Sequence, residues 1–219
     1  MEPFLYEIII CKLSPYNPPD RRKMLTIRGN SVRHLFLRDG MSFASAWDYL
    51  HSCRNIRTIS FFCDELGDNP MPPNDSSWSS FLSQCPNVFP VYQHLTHLEL
   101  FTSSSPVRRI EWLASLPNLT YLFILSPMSD INSAVEPILA RCLKIRVMLW
   151  CPWRRRFSDA GEPTKQQIQA INLGEPDPRL VVCKISYEKH TKHFIVHAEG
   201  KSNTKNMWEL AEDIINERR

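Results

Sequence analysis

The apolar positions between His94 and Pro127 repeat one spacing twice. In each copy two apolar residues lie two positions apart, and a third precedes them by three positions. The two copies are Leu95, Leu98 and Leu100, and Leu119, Leu122 and Ile124. Alternation at the last two positions predicts a short strand with both side chains on one face, while the first apolar residue closes the preceding turn. Between the copies, Ile110, Leu113 and Leu116 predict one face of a short helix.

The same spacing recurs along the whole chain, at steps of about 24 to 39 residues. The further copies are Leu5, Ile8 and Ile10; Val32, Leu35 and Leu37; Ile56, Ile59 and Phe61; Ile145, Met148 and Trp150; and, more weakly, Leu180, Cys183 and Ile185. A strand followed by a helix at this period is typical of a leucine-rich repeat, whose units stack because one strand alone cannot bury its apolar face. We therefore predict a single α/β domain over residues 1–219, an irregular leucine-rich-repeat solenoid with a curved, mostly parallel sheet and short helices on the convex side.

The solenoid is expected to be irregular because no asparagine ladder can form. Regular repeats place Asn or Cys at the position after each strand, and here that position holds other residues. They are Leu13, Gly40, Asp64, Ser103, Pro127 and Trp153.

Further helices are predicted between the strands. Ser42 and Asp75 are the expected N-caps of two of them. Asn132 or Ser133 opens a third, in which Pro137 should lie near the first turn to be tolerated. Another helix is predicted over residues 166–173.

The C-terminal segment predicts an additional strand and then the clearest helix of the chain. The strand is His193–Ala198, and the helix covers residues 203–219 behind a cap at Ser202 or Asn203. Its inward face holds Trp208, Ala211, Ile214 and Ile215. A solenoid needs its last repeat covered, so we predict that this helix is a C-terminal cap.

Composition narrows the function classes. The net charge of +3 and pI near 8.5 are too mild to indicate nucleic acid or an acidic membrane as a partner. Six glycines argue against phosphate-binding loops, and seventeen prolines favour frequent, stiff breaks between short elements. Seven cysteines without a C-x-x-C pair predict buried free thiols in a reducing compartment.

The N-terminal segment does not resemble a signal peptide. It is apolar but carries Glu2 and Glu7, and it lacks a basic start and a small-residue cleavage site. No apolar run approaches the length that crosses a membrane. We therefore expect a soluble intracellular protein, cytoplasmic or nuclear, with no membrane partner.

Two clusters of polar side chains resemble binding sites, one for a metal ion and one for phosphate. Both are more simply interpreted as solvent-exposed surface. His190, His193 and His197 lie close together in sequence, yet no Cys or carboxylate pair completes a metal site. The basic run Arg154–Arg156 could contact phosphate, but a lone basic loop in a nearly neutral chain is usually only solvated. Nucleophile, phosphate-loop, zinc-protease and dinucleotide motifs are absent from the sequence. We expect a protein that is not an enzyme, needs no cofactor and holds no metal.

The residues that face away from the predicted core line the concave surface of the sheet. In order along the chain they are Glu7, Ile9, His34, Phe36, Thr58, Ser60, His97, Glu99, Tyr121, Phe123, Val147, Leu149, Val182 and Lys184. The middle of this surface is unusually apolar for an exposed sheet, as a protein-binding patch would be. The predicted protein-binding residues are Phe36, His97, Glu99, Tyr121, Phe123, Val147 and Leu149. The alternatives are that a loop or the N-terminal segment covers the patch, or that the register is wrong by one.

Seven sequence segments carry a resemblance to a known family. They are EPFLYEIII, SVRHLFL, LTHLEL, LPNLTYL, CLKIRVMLW, DPRLVV and MWELAEDII. Together they resemble the F-box-like leucine-rich-repeat proteins of mushroom-forming fungi, over nearly the whole chain at the level of pattern. In that family an F-box of about forty residues precedes the first strand, and the sequence before Leu5 has no room for one.

The resemblance implies a function in protein recognition. It corresponds to the substrate-recognition part of an F-box-type ubiquitin ligase receptor, a non-enzymatic protein-interaction module whose partner is an unknown protein. A cullin-type ligase adaptor is expected as a partner only if an F-box exists upstream. The alternatives are a truncated family remnant with no independent activity, or a small doubly wound α/β enzyme, since strand–helix alternation fits that fold as well.

Overall fold

The protein contains one parallel sheet, described here from a computed structural model. The described residues are 8–11, 29–37, 49–63, 90–102, 110–126, 131–152, 165–175, 177–182 and 205–218. Within them seven strands pair in chain order, each parallel to the next. The strands are Ile8–Cys11 (β1), His34–Leu37 (β2), Thr58–Cys63 (β3), His97–Thr102 (β4), Tyr121–Ser126 (β5), Val147–Pro152 (β6) and Leu180–Val182 (β7).

Helical elements connect the strands. Four α-helices are described, at Ile110–Ser115 (α1), Ile131–Arg141 (α2), Lys165–Asn172 (α3) and Met207–Glu217 (α4). Short 3₁₀ turns precede β2 and β4, and residues 49–52 are helical before β3. The predicted α/β class and parallel sheet are confirmed. The order of the described strands never reverses, so this sheet lacks the switch point of a doubly wound fold.

The sheet has a different layer on each face. Helices α1, α2 and α3 cover one face, the helix-layer face, and pack on it in one continuous apolar cluster. From β2 to β7 the strand residues at the centre of that cluster are Leu35, Ile59, Leu98, Leu122, Met148 and Leu180. Helix α4 packs on the opposite face, the α4 face. Strands buried on both faces are the usual state of parallel sheets, whose connections cross over the sheet.

The register of the middle strands is as predicted. Leu98 pairs with Ile59 on one side and with Leu122 on the other, and Leu122 pairs with Met148. Strands β3 and β4 place a polar side chain, Ser60 or Glu99, between their apolar residues, so the period of two fixes which face each residue takes. The predicted triplets from β2 to β6 are therefore confirmed.

The register at both ends of the sheet differs from the prediction. Ile9 pairs with Leu35, in the row of the helix-layer face, although it was assigned to the concave surface. At the other end Leu180 pairs with Met148, so Val181 lies on the α4 face and Val182 joins the helix-layer core. Both segments contain consecutive apolar residues, for which alternation cannot distinguish one face from the other. Their assignments were wrong, and Glu7 and Lys184 lie outside the described residues.

Side chains before the strands link neighbouring units. Asn118 donates a hydrogen bond from Nδ2 to the carbonyl oxygen of Gln93, 2.6 Å away, and Lys144 donates one from Nζ to Pro117 at 2.5 Å. The same contact runs from Asn55 Nδ2 to the carbonyl oxygen of Asn30 at 2.9 Å. In each case the donor precedes the first apolar residue of its triplet. The sequence prediction looked for such links only after the strands, and so missed them.

The helices begin at other residues than predicted. Helix α2 begins at Ile131, so Pro137 lies inside it and not near its first turn. Helix α3 runs one residue earlier than expected, and α4 begins at Met207 behind an Asn206 cap. The caps predicted at Ser202 and Asn203 lie outside the described residues.

Several other sequence predictions also fall outside the described residues. They concern the helix starts at Ser42 and Asp75, the basic run Arg154–Arg156, the strand His193–Ala198 and the histidines from His190 to His197. Three cysteines among the described residues are buried, as predicted: Cys53, Cys142 and Cys151.

Candidate functional site on the sheet face beneath the C-terminal helix

The α4 face carries the residues that the sequence predicted as a protein-binding surface. Register places them in two rows across the sheet, with intervening Thr58 and Ser60 from β3. One row contains His97, Tyr121 and Val147, and the other contains Phe36, Glu99, Phe123 and Leu149. The assignment of these residues to one face is confirmed.

The predicted exposure of this surface is wrong. Phe36, Glu99 and Phe123 are each exposed over 1% of their surface or less, and Val147 and Leu149 over 2%. Only His97 and Tyr121 are half-buried. Transfer of apolar side chains out of water is favourable. A sheet face this apolar is therefore stable only when another element of the fold packs on it.

Helix α4 supplies that cover over the second half of the sheet. Ala211 and Ile215 are buried in a cluster with side chains of β5, β6 and β7. The strand members are Phe123, Leu125, Val147, Leu149, Cys151 and Val181. Met207, Trp208 and Ile214 pack against the same cluster. The inward face predicted for the helix is confirmed, but the helix lies across the face of the sheet and not only beyond its last strand.

The sequence of α4 stabilises it from its first turn. Asn206 accepts hydrogen bonds at Oδ1 from the backbone N–H groups of Trp208 and Glu209, both at 2.9 Å. Glu209 Oε2 in turn accepts from the Asn206 N–H at 2.7 Å, which completes a capping box. Lys205 and Asp213 form an exposed ion pair at 2.6 Å on the solvent side. These contacts satisfy the helix terminus without help from the sheet.

An aromatic cluster joins the N-terminal half of α4 to β4 and β5. The rings of His97 and Tyr121 stack in parallel with centroids 4.2 Å apart. Trp208 meets both edge-on, at 5.5 Å from His97 and 5.6 Å from Tyr121, and lies 6.5 Å from Phe123. Edge-to-face pairs at these separations are favourable beyond the area that they bury.

A polar contact follows one turn later along α4. The Tyr121 hydroxyl donates to Glu212 Oε1 at 2.5 Å, and Arg146 Nη2 lies 3.4 Å from the same oxygen. Partial burial, followed by the contact with Glu212, raises the pKa of Tyr121. We call Tyr121, Glu212 and Arg146 the α4 latch.

Two titratable groups of the face are held neutral near physiological pH. Burial raises the pKa of Glu99 to about 8, against the opposing effect of a hydrogen bond that the Ser60 hydroxyl donates to it. Burial, together with the nearby His34 and against the opposing effect of Glu212, lowers the pKa of His97 to about 4. A neutral acid and a neutral imidazole suit a packed face, since a buried charge would be costly.

Arg218 attaches the C-terminal end of α4 to the end of α3 and to the residues at the start of β7. Its Nε donates to the carbonyl oxygen of Asn172 at 3.0 Å, and its Nη1 donates to those of Pro178 and Leu180, both at 2.9 Å. This end of the helix is thus attached beside β7, while the rest of the helix covers the α4 face.

Sequence reasoning missed the partners of Tyr121 and the position of α4. Neither Glu212 nor Arg146 belongs to an apolar pattern, and no spacing relates them to Tyr121. One signal was available. The apolar sheet face had no assigned helix above it, and the apolar stripe of the C-terminal helix, which was assigned to the end of the solenoid, could have been assigned to that face.

Comparisons with known proteins give no family assignment. No protein-family model matches the chain, and no curated protein matches it in sequence. Among the residues described above, no helix is both long and apolar enough to cross a membrane. The same residues contain no group of three or more His, Cys, Asp or Glu side chains that could hold a metal ion.

Proposed function

We propose that the protein is a non-enzymatic protein-interaction module, built as a leucine-rich-repeat-type solenoid. By resemblance it corresponds to the substrate-recognition part of an F-box-type ubiquitin ligase receptor. The α4 face, with its rim of polar side chains, is the proposed recognition surface. The single observation that carries the proposal is the group of His97, Tyr121 and Arg146 at the edge of this apolar face, where aromatic and basic side chains still reach solvent.

The solenoid assignment is supported by repetition within the structure. Successive positions in one row of the sheet, Leu35, Ile59, Leu98, Leu122, Met148 and Leu180, are 24, 39, 24, 26 and 32 residues apart. Backbone contacts repeat with the strands. The N–H groups of Arg57 and Thr58 both donate to the Arg33 carbonyl oxygen, and those of Thr96 and His97 both donate to Arg57. Stacked units that contact only their neighbours are the defining feature of repeat proteins.

The recognition role is supported by the residues at the rim of the α4 face. His97 and Tyr121 are half-buried, so they contact the core of the face and still reach solvent. Arg146 beside them keeps 69% of its side chain exposed. Tyrosine and arginine are enriched among residues that dominate binding energy, because each combines a large apolar contact with hydrogen-bond donors.

Binding is favoured over catalysis by the position of the acid on this face. Glu99 is fully buried beside Ser60, so a substrate could not reach it without opening the face. A general acid or base must come within hydrogen-bond reach of the substrate.

The test is affinity capture from the native cell with the full tagged chain, followed by mass spectrometry. The informative variant is Tyr121→Ser, and Arg54→Glu, at an exposed site elsewhere, is the control. We expect a partner that the wild type and the control retain and that Tyr121→Ser loses. Equal capture by all three chains would contradict recognition through this face. Circular dichroism of each variant separates lost binding from lost folding.

A further inference from the structure

The layer formed by α4 is separate from the main core. Among the described residues, the cluster between the sheet and helices α1 to α3 contains no residue of α4. The second cluster contains Ala211 and Ile215, together with strand residues of the α4 face. The sheet lies between the two clusters, so release of α4 would uncover the second and leave the first packed.

The contacts of α4 with the sheet define a recognition pattern. The four anchors are Trp208, Ala211, Glu212 and Ile215. They occupy the first, fourth, fifth and eighth positions of one stretch, which is the spacing of a single helical face. Anchors at this spacing are typical of an amphipathic helix bound in an apolar groove.

We propose that the α4 face is a helix-binding surface, which exchanges α4 for an amphipathic helix of a partner protein. The partner's helix carries an aromatic residue, a small residue three positions later, a carboxylate at the next position and a β-branched residue three positions after that. The inference rests on the proposed function and deepens it by naming the class of partner.

Charge complementarity supports this choice of occupant. Glu212 is the only anchor with a charge, and its carboxylate contacts Tyr121 of β5 and Arg146, which immediately precedes β6. Arg146 is largely exposed, so it is accessible to an incoming carboxylate before α4 leaves. A partner helix with a carboxylate at the Glu212 position would take over both contacts, whereas a basic residue there would be repelled.

The local stability of α4 also favours exchange. Its capping box lies within residues 206–209, and the Lys205 ion pair to Asp213 also lies within the helix segment. These contacts persist when the helix leaves the sheet, so release does not require the loss of its first turn. Release must break the contacts of the four anchors with the sheet, which an incoming helix replaces, and the three hydrogen bonds of Arg218 at the other end, which it does not. An incoming helix therefore competes from the Trp208 end.

The test uses the full chain and a fluorescent peptide of residues 205–218 as the probe. Ala211→Glu in the full chain places a carboxylate against the apolar cluster and releases α4, while the helix-layer core stays intact. We expect the wild-type peptide to bind this variant at least ten-fold more tightly than it binds the wild-type chain. A peptide with the same Ala211→Glu change is the matched control and is expected to bind neither chain.

Failure of the wild-type peptide to bind the folded variant would overturn the inference. If the variant does not fold, amide hydrogen exchange on the wild-type chain decides the question. We expect the amides of α4 to exchange faster than those of β5 and β6, through an opening that spares the sheet. Exchange of α4 only together with the sheet would overturn the inference.

The remaining outcomes concern the identity of the occupant. A wild-type dimer that the peptide dissociates, measured by light scattering, would assign the exchanged helix to a second copy and overturn the assignment to a partner. A captured partner that excess wild-type peptide fails to displace would overturn this inference and leave the proposed function standing. Peptide binding without capture of any partner would contradict the proposed function itself.

Discussion

Tyr121 on β5 donates a hydrogen bond of 2.5 Å to Glu212 on α4, across 91 positions of the sequence. The contact ties the middle of the sheet to the C-terminal helix. Arg146, which immediately precedes β6, approaches the same carboxylate, so one acidic side chain of α4 is contacted from two neighbouring segments. The position of α4 on the face thus depends on a polar contact as well as on apolar packing.

Removal of the Tyr121 hydroxyl is expected to loosen α4. We expect Tyr121→Phe to weaken the docking of α4 on the sheet by about 1 kcal/mol, because the Glu212 carboxylate loses the hydrogen bond from the Tyr121 hydroxyl. Hydrogen exchange of the α4 amides measures this change. Asp213→Asn is the control, since that neighbouring carboxylate pairs with Lys205 and not with the sheet. Equal loosening by both variants would show that the latch has no special role.

Glu99 is expected to make the protein less stable as pH rises. Its pKa is raised to about 8 in the folded state, so the folded chain keeps a proton that the unfolded chain loses above its ordinary pKa of 4.5. Stability therefore falls between about pH 4.5 and 8, by up to about 1.4 kcal/mol per pH unit. We expect Glu99→Gln to remove this slope above pH 6.5 in denaturant titrations. A slope that survives the substitution would contradict the assignment.

His97 is expected to act in the opposite direction at lower pH. Its pKa is lowered to about 4, so below its ordinary value of 6.5 the unfolded chain gains a proton that the folded chain does not accept. Its contribution to stability is present above pH 6.5 and is lost as the pH falls toward 4. We expect His97→Gln to reduce acid destabilisation in the same titrations, and the slope of unfolding free energy against pH should differ most from that of the wild type between about pH 4 and 6.5.

The helix-layer core is expected to respond to a single truncation. Leu98 is completely buried at the centre of the sheet, so Leu98→Ala should cost about 2–5 kcal/mol of unfolding free energy. Leu143 is 78% exposed, and Leu143→Ala should stay within about 0.5 kcal/mol of the wild type. Chemical denaturation compares the two changes. A similar cost at both positions would be inconsistent with the burial described.

The cap of α4 is expected to stabilise the helix independently of the sheet. Asn206→Ala removes the acceptor for two backbone N–H groups and should cost about 1 kcal/mol. Asn216→Ala, at an exposed position near the other end, is the control with the same change of side chain. Hydrogen exchange of Trp208 and Glu209 reports the loss directly. Unchanged protection there would argue against the capping box.

The sequence predicted most of the sheet because its middle strands alternate. In β4 the order His97, Leu98, Glu99, Leu100 leaves only one apolar face. For β5 and β6 the register followed from the apolar residue three positions earlier, Leu119 or Ile145, and the pairing agrees with it. At the two ends the runs Ile8–Ile10 and Leu180–Val182 are apolar at every position. Such strands fit either register, and only their pairing with a neighbour decides between them.

The sequence predicted which residues share the α4 face, but it did not predict that a helix buries this face. The residues of the α4 face follow from the period of two, so the sequence was sufficient to group Tyr121 with His97 and Val147. Their cover could not be predicted in this way, because it depends on where a helix 86 positions after Tyr121 packs. Glu99 shows the same limit. A carboxylate between two leucines indicates an exposed position until a second layer of the fold is known to bury it.

The chain-order pairing of the described strands has a consequence for how such a protein can change. Within the sheet, each of these strands pairs only with the strand just before it and the strand just after it in the chain. The crossover that separates Ile59 from Leu98 is longer by 15 residues than the one between Leu98 and Leu122, yet both join strands in the same row. A whole unit could therefore be duplicated or deleted by recombination without disturbing more distant ones, and the length of the α4 face would change with it.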